Sequence, residues 1–160
     1  MLVDAEGFGE RPGDGTGDHV RLLIPSDAGA VRQALQEARA TWLLRSLTDD
    51  ARGTAEIVIA EALNNIVEHA YASHAGEIEL SLKRSGGKLS VLITDRGHPM
   101  PGGSLPEGRL PAADPDNLPE GGFGWFLIRT LSQDLRYCRA EGRNHLFFRL
   151  DADPDQKQSA

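Results

Sequence analysis

The chain has 160 residues, 39% of them hydrophobic, and carries a net charge of −7 from 24 acidic and 17 basic side chains. Length and apolar content suit one soluble domain with a proper core, and the negative charge argues against nucleic acid or anionic membrane as a broad electrostatic partner. The single cysteine, Cys138, excludes an internal disulfide and has no neighbour suggesting zinc; with neither a membrane-length apolar run nor a signal-peptide start, the expected location is the cytoplasm.

Residues 1–18 combine five glycines with Asp4, Glu6, Glu10, Asp14 and Asp18, which predicts a disordered acidic leader. The run Asp14-Gly15-Thr16-Gly17-Asp18 resembles the start of a calcium loop but lacks its closing Glu. A strand from His19 to Ile24 ends at Pro25. Ser26 or Asp27 then caps a helix expected over 28–47, with Val31, Leu35, Ala38, Trp42 and Leu43 on its core stripe.

Thr48-Asp49-Asp50 recaps the chain, and a second helix is expected from about Ala51, ending by Gly76. Within it Glu61, Asn65 and His69 stand four residues apart, so at about 100° per residue they share one face with Glu68. The opposite side is apolar, and the polar stripe contains no Lys or Arg. A solvated surface would account for one Glu/Asn pair; the short amide and imidazole groups also suit the lining of a site.

Glu77 to Lys83 and Lys88 to Thr94 alternate, with Ile78, Leu80, Leu82 and Leu89, Val91, Ile93 facing one way across a Ser85-Gly86-Gly87 turn. That is a β-hairpin. Gly86-Gly87-Lys88 fails as a phosphate-binding P-loop, because Leu82 and Leu89 occupy positions that need Gly and Ser or Thr. From Asp95 to Gly122 prolines and glycines dominate, the mark of a lid or binding loop. Phe123, Leu127 and Leu131 then announce a helix, and Leu135 to Arg139 with His145 to Leu150 form a second hairpin around 141–144. A polar tail covers 151–160.

Hairpin strands with helices gathered between them predict an α+β two-layer sandwich over 19–150: a mostly antiparallel mixed sheet covered on one face by three helices.

Three segments could carry chemistry. An Asp at a strand end, Asp95, can accept from an exocyclic amine, while Gly97 lets backbone approach a flat ring; the same Asp-x-Gly-x-Pro is also a common turn. Gly121-Gly122-Phe123-Gly124 opens a helix, where exposed N–H groups and the helix dipole favour phosphate, or simply makes a loop-to-helix junction. Asn65 offers a neutral amide oxygen suited to Mg²⁺, and Glu61, one turn earlier, could handle a proton.

Taken in order, Glu61-x-x-x-Asn65-x-x-x-His69, Asp95-x-Gly97-x-Pro99 and Gly121-Gly122-Phe123-Gly124 resemble the boxes of the GHKL (histidine kinase-like) ATPase superfamily. Among its branches the chain looks most like the anti-sigma factor serine kinases of the RsbW/SpoIIAB type, whose habit is also proline at position 99. Trp125 departs from the usual Leu, and Phe123 from the common Leu or Met. The resemblance spans about residues 19 to 150.

The resemblance implies the Bergerat fold and the cofactors ATP and Mg²⁺. Asn65 would coordinate the metal, and Asp95 would accept from the adenine amino group, directly and through water. Gly97 and Pro99 would shape the base pocket, with Thr130 contributing a hydroxyl near the base. Gly121, Gly122, Phe123 and Gly124 would wrap the phosphates, Gly122 and Gly124 hinging the lid. Glu61 would be the general base of a serine/threonine protein kinase. Implied partners are a sigma factor and an anti-sigma factor antagonist of STAS type, with a homodimer left open. A nucleotide-gated binding module without kinase activity and a detached histidine-kinase catalytic domain are the other readings.

Overall fold

The computed structural model describes residues 19–108 and 123–153; the acidic leader, Gly121, Gly122 and the end of the polar tail lie outside the described residues. Five strands, β1 (His19–Pro25), β2 (Glu77–Ser85), β3 (Lys88–Asp95), β4 (Gln133–Ala140) and β5 (Arg143–Asp151), form one sheet in the order β1-β2-β3-β5-β4. Every neighbouring pair is antiparallel. The mixed sheet expected from sequence is therefore fully antiparallel among the described residues.

Alternation sets the register. Ile78, Leu80 and Leu82 of β2 and Leu89, Val91 and Ile93 of β3 are all fully buried on one face, joined in β5 by Leu146, Phe148 and Leu150. Burying each such side chain contributes roughly 1.5–3 kcal/mol, so a one-residue slip would forfeit the whole row. At the β4–β5 turn, Glu141 (φ 53°) and Gly142 (φ 74°) both adopt left-handed backbone, the conformation a two-residue hairpin with matched twist requires. On the other face Phe147 lies under two guanidiniums, Arg136 and Arg149, each 5.5 Å from its ring centre.

The helical layer comprises α1 (Ala28–Ala40), the short α2 (Trp42–Arg45), α3 (Asp49–Asn65) and α4 (Phe123–Leu131). Asp27 caps α1 by accepting from the Ala30 N–H at 2.8 Å. Thr48 caps α3, accepting from Ala51 at 3.2 Å, with Asp49 and Asp50 in the first turn, where the helix dipole favours them.

The single helix expected over 28–47 is broken at Thr41. Its backbone is extended (φ −68°, ψ 150°), and its hydroxyl donates to the Ala38 carbonyl at 2.6 Å. This local alternative to helical bonding turns the next residues. Trp42, expected in the core, is consequently 62% exposed, while Leu43 and Leu44 take the buried places.

α3 ends in a π-helical turn, Ile66–Ala70, closed by Tyr71 N–H to the Ile66 carbonyl at 3.1 Å. Such turns often accompany functional sites.

Candidate functional site

The ends of α3 and β3 meet beside a cavity of about 470 Å³, within the range of small-ligand sites. Its walls are largely apolar, from Ala62 and Ile66 on α3 to Leu146 on β5 and Trp125 on α4, with Asn65, Asp95 and Asn144 as inward polar groups. His69, His98, Pro99 and Met100 complete the rim.

Gly97 fixes how closely the two elements approach. A Cβ there would stand 2.5 Å from the Ala70 carbonyl oxygen, and the next residue, His98, donates its N–H to that same oxygen at 2.8 Å. The turn after β3 is thus pressed onto the last turn of α3, and only glycine fits. Tyr71 strengthens the joint, its hydroxyl accepting from the Arg96 N–H at 2.9 Å and donating to the Glu77 carbonyl at 2.8 Å.

Asp95 is 4% exposed. Burial pushes its carboxyl above the ordinary range, opposed by hydrogen bonds from Asn144 and the Gly97 N–H and by the charges of Arg139 and His145. Both hydrogen bonds, at 2.9 and 2.8 Å, fall on Oδ1, which leaves Oδ2 for a ligand.

Asn65 lines the same cavity one turn beyond Glu61. Its Nδ2 is buried with no hydrogen-bond partner among the described residues. An amide untied to protein, with a hard neutral oxygen, fits a cation that takes few protein ligands, as Mg²⁺ does. Among the described residues no three His, Cys, Asp or Glu side chains gather as a metal cage.

Glu61 lies on the boundary. It lines a separate open groove between α1 and α3, about 570 Å³, together with Arg32, Gln36, Arg39 and Glu56. A Cβ on Gly124 would come within 2.8 Å of Glu61 Oε2 and 3.4 Å of Asn65 Nδ2, so α4 passes close over both side chains.

Among the expected site residues, Asn65, Asp95 and Pro99 line the cavity, Gly97 forms its joint, and Glu61 and Gly124 flank it. Phe123 is 49% exposed. Thr130 is exposed on α4 and does not line the cavity. Helical geometry explains this: Ile128 occupies the buried stripe of α4, and two residues further, about 200° round the axis, a side chain faces away. Asn144, Tyr137 and Arg139 were missed, since the sequence reads Asn144 as a turn residue. The signal available was alternation, because Asn144 precedes Leu146, Phe148 and Leu150 in step on the core face.

The chain matches, over residues 24–150, the family described as the histidine kinase-like ATPase domain. It belongs to that family. Histidine kinase-like ATPase relatives include proteins named serine-protein kinase RsbW from Bacillus thuringiensis (strain Al Hakam) and Bacillus cereus (strain 03BB102), each 34% identical over 90 residues. Those matches cover 54% of this chain and 56% of each relative, so the chain spans little more than half the length of these curated relatives. No described helix is long and apolar enough to cross a membrane.

Proposed function

We propose that the chain is an ATP-dependent serine/threonine protein kinase of a cytoplasmic partner-switching pair. It holds a sigma factor inactive and phosphorylates a small anti-sigma factor antagonist on Ser or Thr. Support comes from the histidine kinase-like ATPase family and from relatives named serine-protein kinase.

The observation that carries the reading is the meeting of Glu61, Asn65 and Gly124. Asn65 lines the cavity, Glu61 one turn earlier on α3 lines the open groove beside α1, and Gly124 of α4 lies over both side chains. In this reading adenine enters the apolar cavity and its amino group donates to Asp95 Oδ2. Asn65 would hold Mg²⁺, which would supply neutralisation of the phosphate charge. The substrate hydroxyl arrives through the groove; as its oxygen bonds the γ-phosphorus and the bond to the β-phosphate oxygen breaks, releasing ADP, its proton passes to the Glu61 carboxylate.

Incubation with Mg-ATP and the cognate antagonist is expected to give phosphoserine or phosphothreonine, and Glu61→Ala to slow transfer by roughly 10²–10⁴-fold. A fully active Glu61→Ala protein would remove Glu61 from the mechanism. Nucleotide-dependent capture of a partner without transfer would instead make the protein a nucleotide-gated binding module.

A further inference from the structure

Asn144 is one of three buried polar side chains among the described residues, at 5% exposure, and stands directly across from Asp95 in the β3–β5 register. Its Nδ2 donates to Asp95 Oδ1 at 2.9 Å, to the His98 carbonyl at 2.9 Å and, more weakly, to the Gly97 carbonyl at 3.3 Å. Its Oδ1 accepts from the Tyr137 hydroxyl at 2.6 Å and from Arg139 Nη1 at 2.8 Å. One end of the amide therefore meets only acceptors and the other only donors. A flipped amide would set its oxygen against a carboxylate and two carbonyls, so a single orientation satisfies the network.

Tyr137 extends the order outward, because its hydroxyl also accepts from the Met100 N–H at 3.0 Å. Polarity then runs one way, from the Met100 N–H through the Tyr137 hydroxyl and the Asn144 amide to Asp95. At the end of that chain Asp95 receives hydrogen bonds on Oδ1 and presents Oδ2 as a pure acceptor.

Building on the nucleotide reading above, we propose that Asn144 is the positioning residue that makes this pocket select a 6-amino purine over a 6-oxo purine. It does so by holding Asp95 as an acceptor. A 6-oxo base would oppose a carbonyl oxygen to Asp95 Oδ2, two acceptors with no proton between them.

Asn144→Asp separates shape from donor function. It keeps an oxygen for Tyr137 and Arg139 but replaces the donating amide with a second carboxyl beside Asp95. The charged or titratable groups facing this pair are Arg139 and Tyr137 of β4, His145 of β5 and Tyr71 beyond α3. At high pH two carboxylates would repel; at lower pH one shared proton restores a donor between them.

The test is calorimetric titration of the full chain with Mg-ATP and Mg-inosine triphosphate, for wild type, Asn144→Asp and Tyr137→Phe. Wild type is expected to prefer ATP by at least about a hundredfold, and Asn144→Asp to cut that ratio by about tenfold or more at pH 8, with recovery towards pH 6. Tyr137→Phe, which leaves the buried amide in place but removes one of its anchors, should narrow the ratio less and carries the test if Asn144→Asp does not fold. An unchanged ratio, with both nucleotides weakened equally, would make Asn144 merely structural and overturn the proposal. Failure of wild type to bind ATP would overturn the nucleotide reading itself, a result distinguishable because it needs no variant.

Discussion

Gly124 of α4 lies so close to Glu61 of α3 that a methyl group on it would stand 2.8 Å from the carboxylate oxygen. The atom it would strike is the end of a flexible side chain. Gly124→Ala should therefore fold normally, and a helix gains up to about 1 kcal/mol from replacing Gly with Ala. Glu61 would have to swing aside. The expected result is an unchanged or raised melting temperature with phosphotransfer reduced at least tenfold, read from a thermal melt and an antagonist phosphorylation assay.

Gly97→Ala should behave in the opposite way. Its methyl group would meet the Ala70 carbonyl at 2.5 Å, and backbone cannot step aside without moving the π-helical turn. Overpacking of this kind costs roughly 1–3 kcal/mol. Urea unfolding should show a lower midpoint with an unchanged slope.

Asn65→Ala separates binding from stability. The Asn65 Nδ2 is buried without a partner among the described residues, and such a group costs free energy that alanine would not, so the unliganded variant should be as stable as wild type or more so. The extra thermal stabilisation that Mg²⁺ gives with ATP should vanish. A magnesium-dependent shift of wild-type size in the variant would remove Asn65 as the metal ligand.

Asp95 gives a pH signature. Its folded pKa is raised by burial, so between the ordinary carboxylate pKa and the raised one the native state binds more protons than the unfolded state. Stability then falls as pH rises through that window. Asp95→Asn should remove this loss, leaving the variant the more stable protein above the window and no different below it. Because the new amide would point a donor where Oδ2 was, the ATP-induced thermal shift should disappear in the same variant. Melting curves from pH 3 to 8, with and without Mg-ATP, check both statements.

Much of this architecture is legible in the sequence because period-two burial is unambiguous when one sheet face is dry. Ile78, Leu80, Leu82 and their partners in β3 required nothing beyond alternation. Asp95 and Asn65 were legible for a different reason: each is a short polar group where local pattern calls for something else. Thr41 was not, since a threonine inside a helical pattern gives no sign that its hydroxyl will bond Ala38 and redirect Trp42 to solvent. Asn144 sat beside a hairpin turn, where Asn is ordinary, and its partner Asp95 is 49 residues away. Only the strand register, which sequence does not print, brings the two together.

The seam between Gly97 and Ala70 makes the site a caliper. One jaw, Asp95 with Asn144, is rooted in adjacent strands; the other, Asn65 with Glu61, is rooted in a helix. No covalent segment shorter than the whole path from Tyr71 through β2 and β3 connects them, so the gap between the jaws is set by how the helix is seated on the sheet. Side chains along that contact, Ile66 and Leu146 among them, thereby gauge the length of molecule the jaws can span, although neither carries a polar atom that could touch it.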